Sequence, residues 1–106
     1  MIKTIDAKEL KAKLDNGEEL ILIDCREQDE WDDSHIADAK FVPLSKFQEL
    51  FENELPNKEA QIIIQCRSGK RSLSACQLLL DEDYDNLTNL EGGIMGWINN
   101  GYETVK

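Results

Sequence analysis

Ile62-Ile63-Ile64-Gln65-Cys66-Arg67-Ser68-Gly69-Lys70-Arg71-Ser72 decides how this chain is read. A continuous β-branched run of this kind is typical of a strand covered on both faces. It delivers a cysteine at its carboxyl end into a short loop with three cations, and a helical pattern follows over Ser72 to Asp81. Upstream, Ile2 to Ile5 reads as a short strand and Asp6 to Leu14 as a helix, opened by an Asp6/Glu9 capping box and closed by Asn16-Gly17. Leu20 to Ile23 is a second apolar run, leading into Asp24-Cys25-Arg26, and a short helix spans Asp29 to Asp33. Phe41-Val42 reads as a brief strand and Pro43 as a break. Ser45 is expected to cap a helix with Phe47, Leu50 and Phe51 on one side, ended by Pro56-Asn57. Gln61 to Gln65 and Leu87 to Leu90 complete the strands, and Gly93 to Asn99 is the last helix. Strands alternating with helices predict an α/β fold with a parallel sheet and right-handed crossovers. Such sheets bind ligands at strand carboxyl ends, where Cys66 lies.

The loop calls for both an ionised sulfur and an anionic ligand. A thiolate is the nucleophilic form of cysteine, and cations or a helix amino end lower its pKa from about 8.5 to roughly 3.5–7.5. A fall of two units corresponds to about 2.7 kcal/mol, which Arg67, Lys70 and Arg71 are expected to supply. Gly69 opens backbone angles closed to other residues, so successive amides can form an anion-binding concavity at the start of the following helix. Ser68 and Ser72 add hydroxyl donors. This reading expects Cys66 to be reachable from solvent.

Composition bounds the rest. The 106 residues, 41% of them hydrophobic, suit one compact domain with one core. The balance of 22 acidic against 12 basic residues gives a net charge of −10, which argues against nucleic acid and anionic membranes as partners. Charges interrupt the amino-terminal segment Met1 to Asp6, so neither a signal peptide nor a membrane span is expected there, and a cytoplasmic location follows. Three cysteines without Cys-x-x-Cys spacing fit a reducing compartment, and one His with scattered Cys makes no zinc ligand set.

Three ordered motifs together resemble the rhodanese-like sulfurtransferase family, over nearly the whole chain. They are Ile23-Asp24-Cys25-Arg26-Glu27 with Glu30-Trp31 and His35-Ile36, then the Cys66 to Arg71 loop, then Leu90-Glu91-Gly92-Gly93 with Gly96-Trp97 and Gly101-Tyr102. Departures from the family pattern, at Ser34, Ala37-Asp38 and Glu103, lie outside the loop. The resemblance implies a single rhodanese-like domain over residues 1–106, with a central parallel five-stranded sheet flanked by helices on both faces. It also separates the loop from that of the cysteine phosphatases, and with them the arsenate reductases. In the phosphatases an arginine stands six positions after the cysteine; here that position is Ser72, and Arg71 comes one residue sooner. A cradle sized for a sulfur atom on Cys66 is implied, with Cys66 as nucleophile and Arg67, Ser68, Gly69, Lys70, Arg71 and Ser72 as substrate-binding residues.

The implied reaction carries sulfane sulfur from a small anionic donor, thiosulfate or a persulfide, through a Cys66 persulfide. The acceptor would be cyanide, a low-molecular-weight thiol or a protein cysteine. No cofactor or metal is called for, and a monomer is expected. The alternative is a sulfur-carrier or protein-docking module with little turnover on small donors. Asp24 and Arg26 read as a structural ion pair, and His35, in keeping with the family, is assigned no chemistry. Trp31, Trp97 and Tyr102 read as core or rim aromatics, and Cys76, at helical spacing from Leu73 and Leu80, as an inert core thiol. If the family's strand order holds, Cys25 neighbours Cys66 and could resolve its persulfide or form a disulfide with it, given alpha carbons within about 7 Å.

Overall fold

A computed structural model describes residues 1–106. Five strands, β1 (Ile2–Ile5), β2 (Ile21–Asp24), β3 (Ala39–Phe41), β4 (Ile62–Gln65) and β5 (Leu87–Leu90), form one sheet in the order β1-β5-β4-β2-β3, with every pair parallel. Five α-helices, α1 (Ala7–Asp15), α2 (Gln28–Asp33), α3 (Phe47–Glu54), α4 (Lys70–Asp81) and α5 (Gly93–Asn99), connect and follow them. This is the expected α/β architecture.

β4 is central because nothing in it can face water. Ile62, Ile63 and Ile64 are all fully buried, and burying each side chain contributes about 1.5–3 kcal/mol. Strand alternation splits them between two cores. Ile62, Ile64 and Cys66 join Ile23, Cys25 and Leu87 beneath Phe47 and Phe51 of α3 and Ala75, Cys76 and Leu79 of α4. Ile63 joins Leu22 and Leu90 beneath Ala7 and Leu10 of α1 and Ile94 and Trp97 of α5. Helices therefore cover both faces, and the sheet presents its carboxyl edge to the loops.

Local signals set most boundaries. Asp6 and Glu9 close the expected capping box, with the Glu9 amide donating to Asp6 at 2.9 Å and the Asp6 amide to Glu9 at 3.2 Å. Two expectations need correction. Ser45 does not cap α3: a 3₁₀ turn over Leu44–Lys46 precedes the helix, and the Ser45 hydroxyl donates to Glu27. Helix α4 starts at Lys70, two residues before Ser72, because Gly69 at φ +110° turns the chain sharply enough to begin winding there. That earlier start draws Lys70 and Arg71 into the first helical turn. His35 stacks on Trp31 at 3.6 Å and bridges backbone to Val105, so it serves the fold. No helix is long and apolar enough to cross a membrane.

Candidate active site at the carboxyl edge of the sheet

Cys66 leaves β4 as the chain turns, and its sulfur faces inward beneath the loop that follows. The Gly69 amide donates to Sγ at 3.1 Å, and the Ser72 hydroxyl stands 3.4 Å away. Ser72 donates in turn to Asn89 of β5, whose amide nitrogen donates back to the Gly69 carbonyl at 3.1 Å. Asn89 thus ties both sides of the loop to the sheet. On the other side, α5 presses on the loop backbone: Ile94 N–H donates to the Cys66 carbonyl at 2.9 Å and Met95 N–H to the Arg67 carbonyl at 3.2 Å. This contact explains Gly93. A Cβ at Gly93 would lie 2.4 Å from the Cys66 carbonyl oxygen and 2.5 Å from Arg67 backbone atoms, so only glycine lets α5 approach.

The Cys66 thiol titrates far below the ordinary cysteine range. The largest cause is the neighbouring Cys25 thiol, supported, against the opposing effect of burial, by the Ser72 and Gly69 amides; the Ser72 hydroxyl spends its one proton on Asn89. This corrects the expectation that cations set the ionisation. Hydrogen-bond donors aimed at the sulfur stabilise its charge at contact distance, whereas Arg67 and Lys70 stand in solvent and only Arg71 couples to the sulfur, as a lesser contribution. Cys25 moves the other way, raised by its hydrogen bond to Cys66 and by burial. Burial pushes the Cys76 thiol up to about 12, consistent with an inert core position.

The cations divide into two kinds. Arg67 and Lys70 are exposed at the mouth of the loop. Arg71 is engaged: its guanidinium meets Glu30 of α2 with two parallel bonds of 2.7 and 2.9 Å, and it holds the Glu30 carboxyl down to about 2. Glu30 also accepts from the Glu27 amide at 3.0 Å, so one carboxylate both starts α2 and anchors α4. Its part in the site was not legible in the sequence, where Glu30 registered only beside Trp31. Asn89 was missed too, since a polar residue in a short strand carries no sign of where its amide reaches.

Two further placements differ from expectation. Ser72 is fully buried behind the sulfur, so its hydroxyl supports Cys66 and offers no donor to solvent. Cys66 itself is only 1% exposed, where an open thiol was expected. The exposed part of the loop is Arg67, Ser68 and Lys70, with Gly69 half-covered. Beside Arg67 lies a cavity of about 140 Å³ bordered by Arg26, Glu30, Asp33, Ile94, Met95 and Ile98. A larger one of about 420 Å³, lined by Lys11, Trp97 and Tyr102 among others, is bordered by none of the loop residues.

The neighbouring strand end is built differently. Asp24 and Arg26 form a buried pair, with the guanidinium bonded to both carboxylate oxygens at 2.8–3.1 Å and to the Ser34 carbonyl at 2.7 Å. They hold the turn into α2, the structural role expected of them. Gln65, the register partner of Asp24, is also fully buried, but neither end of its amide has a partner.

Comparison with known proteins places this geometry in a family context. Residues 6–100 match the rhodanese-like domain family. The chain is 34% identical over 105 residues to a sulfurtransferase of Allochromatium vinosum, covering 99% of this chain and 96% of that protein. It is 38% identical over 96 residues to the putative sulfurtransferase YtwF of Bacillus subtilis, with 91% and 90% covered. It is 31% identical over 96 residues to the thiosulfate sulfurtransferase GlpE of Coxiella burnetii, with 91% and 84% covered. Among solved structures, a rhodanese-related protein from Thermoplasma volcanium superposes with a TM-score of 0.82 at 26% identity, covering 97% of both chains.

Proposed function

The chain belongs to the rhodanese-like domain family of sulfurtransferases, and from that premise we propose that it moves sulfane sulfur from thiosulfate to a thiophilic acceptor through a persulfide on Cys66. The observation that carries this reading is the convergence on one sulfur of the Cys25 thiol and the Gly69 and Ser72 amides, which together favour the thiolate. That thiolate attacks the terminal sulfur of thiosulfate. A new sulfur–sulfur bond forms as the donor's own breaks, and sulfite departs with the electron pair. The acceptor, cyanide in an assay and a low-molecular-weight thiol or protein cysteine otherwise, then takes the outer sulfur and returns Cys66 to the thiolate.

Each loop residue has a part in this scheme. Arg67 and Lys70 draw in the donor dianion against the −10 charge of the chain and hold the departing sulfite. Ser68 and the Gly69 amide line the cradle, and preorganised amides stabilise the charge that moves to the outer sulfur. Arg71, fixed by Glu30, adds positive charge behind the loop, and Ser72 supports the sulfur from within. A sulfur this enclosed is best suited to donors that present a single projecting sulfur atom, as thiosulfate does.

The test is incubation with thiosulfate followed by intact mass measurement. The wild-type chain is expected to gain the mass of one sulfur atom, and Cys66→Ser none, with sulfur transfer to cyanide falling to background in the variant. Retained turnover in Cys66→Ser rejects the assignment. The 1% exposure of Cys66 also favours a second reading, in which the domain receives sulfur only when docked on a partner protein. No mass gain with thiosulfate, together with gain from a protein persulfide, supports that reading.

A further inference from the structure

Cys25 follows Asp24 at the end of β2, and Cys66 follows Gln65 at the end of β4. The two strands are adjacent and parallel, with Asp24 opposite Gln65, and the Cys25 amide extends the ladder by donating to the Gln65 carbonyl at 2.9 Å. Cys25 and Cys66 therefore stand at consecutive register on strands about 4.7–4.9 Å apart. Both side chains point into the same core, beneath α3 and α4. Cys25 is 0% exposed. The Cys76 thiol in the same core donates to the Thr88 carbonyl, and Cys25 faces Cys66.

We propose that Cys25 is a positioning residue for sulfur transfer, whose buried S–H donates to the Cys66 sulfur and so fixes the negative charge on Cys66. This deepens the reading above and rests on Cys66 being the reacting sulfur. A thiol is a weak donor in water, but an ionised sulfur in a buried site has no water to replace it, so even this bond discriminates strongly between S⁻ and SH. The opposed titrations of the two thiols agree with this. The remaining groups around the pair are few. β2 contributes Asp24, already bonded to Arg26, and α4 contributes Ser72 and Arg71, the latter held by Glu30 of α2. β5 contributes the uncharged Asn89, α5 only backbone amides to the loop, and Arg67 and Lys70 stand exposed at the mouth. Holding its proton, Cys25 is a poor nucleophile, so a donor role follows from the arrangement in preference to attack on a Cys66 persulfide.

The experiment is a pH titration of Cys66 by thiolate ultraviolet absorbance, which needs no access by reagent and no turnover, on wild type, Cys25→Ser and Cys25→Ala. Serine keeps a donor of similar size; alanine removes it. Cys25→Ala is expected to raise the Cys66 midpoint by one unit or more, cutting the thiolate fraction at pH below the midpoint about tenfold. Cys25→Ser is expected to stay near wild type, and the rate of sulfur transfer should follow the same order in its acid limb. An unchanged midpoint in Cys25→Ala overturns the proposal, as does an equal rise in both variants, which would mark a packing effect. The titration reads the sulfur's ionisation even if Cys66 transfers no sulfur, so the proposed reaction and this inference fail separately.

Discussion

Asp24-Cys25-Arg26 and Gln65-Cys66-Arg67 lie side by side at the ends of adjacent strands, residue opposite residue, and each carries the dipeptide Cys-Arg. Their fates are opposite. In the first, the arginine folds back onto the aspartate, both are buried, and the thiol keeps its proton. In the second, the glutamine carries no charge to draw an arginine inward, Arg67 stays in solvent, and the thiol ionises. An adjacent cation therefore does not make a cysteine acidic. The decisive difference is what comes next: Gly69 turns the chain so that amides at the start of α4 point back at Cys66, whereas the chain after Arg26 runs straight into α2.

That contrast can be broken most forcefully at Asp24. Asp24→Asn leaves Arg26 buried without its counter-charge, which typically costs about 3–5 kcal/mol. Urea unfolding is expected to show a loss of that order, and a loss below 1 kcal/mol would mean that the pair does not hold the turn. The opposite substitution sharpens the comparison from the β4 side. Gln65→Leu removes a buried amide with no partner, and relieving such a group is expected to stabilise the chain by about 1 kcal/mol, read as a higher denaturant midpoint with sulfur transfer unchanged.

The smallest effect concerns Glu30, which joins the two regions through Arg71. Its folded pKa is depressed, so the pair stabilises fully above the ordinary glutamate value of 4.5 and is lost as pH falls toward about 2. Glu30→Gln is expected to cost up to about 1 kcal/mol at neutral pH, since the pair is partly exposed. The variant should also lose less stability than wild type between pH 4.5 and 2, as followed by thermal melts across that interval.

Much of this was legible in the sequence because its causes are local. Three consecutive isoleucines announce a central strand, and Asp6 and Glu9 a helix start. What could not be read depends on contacts between distant segments. Ser45 has the right chemistry for a cap, yet a carboxylate 18 residues upstream takes its hydroxyl. Arg71 looks like a free cation until α2 places Glu30 against it. The closeness of Cys25 to Cys66 follows from strand order, which periodicity alone does not give. The covering of Cys66 was unreadable for the same reason, because α5 and β5 close over the loop from the far end of the chain.

Strand order has a consequence for how the chain is made. β1 is made before the other four strands of the sheet, yet β5 is its sole neighbour. Until Leu87–Leu90 emerges, β1 has nowhere to pair and β4 keeps one bare edge. β4, the most apolar strand, therefore waits with one edge unpaired while the whole of α4 is made, an exposed edge of the kind that invites wrong pairing before folding is complete.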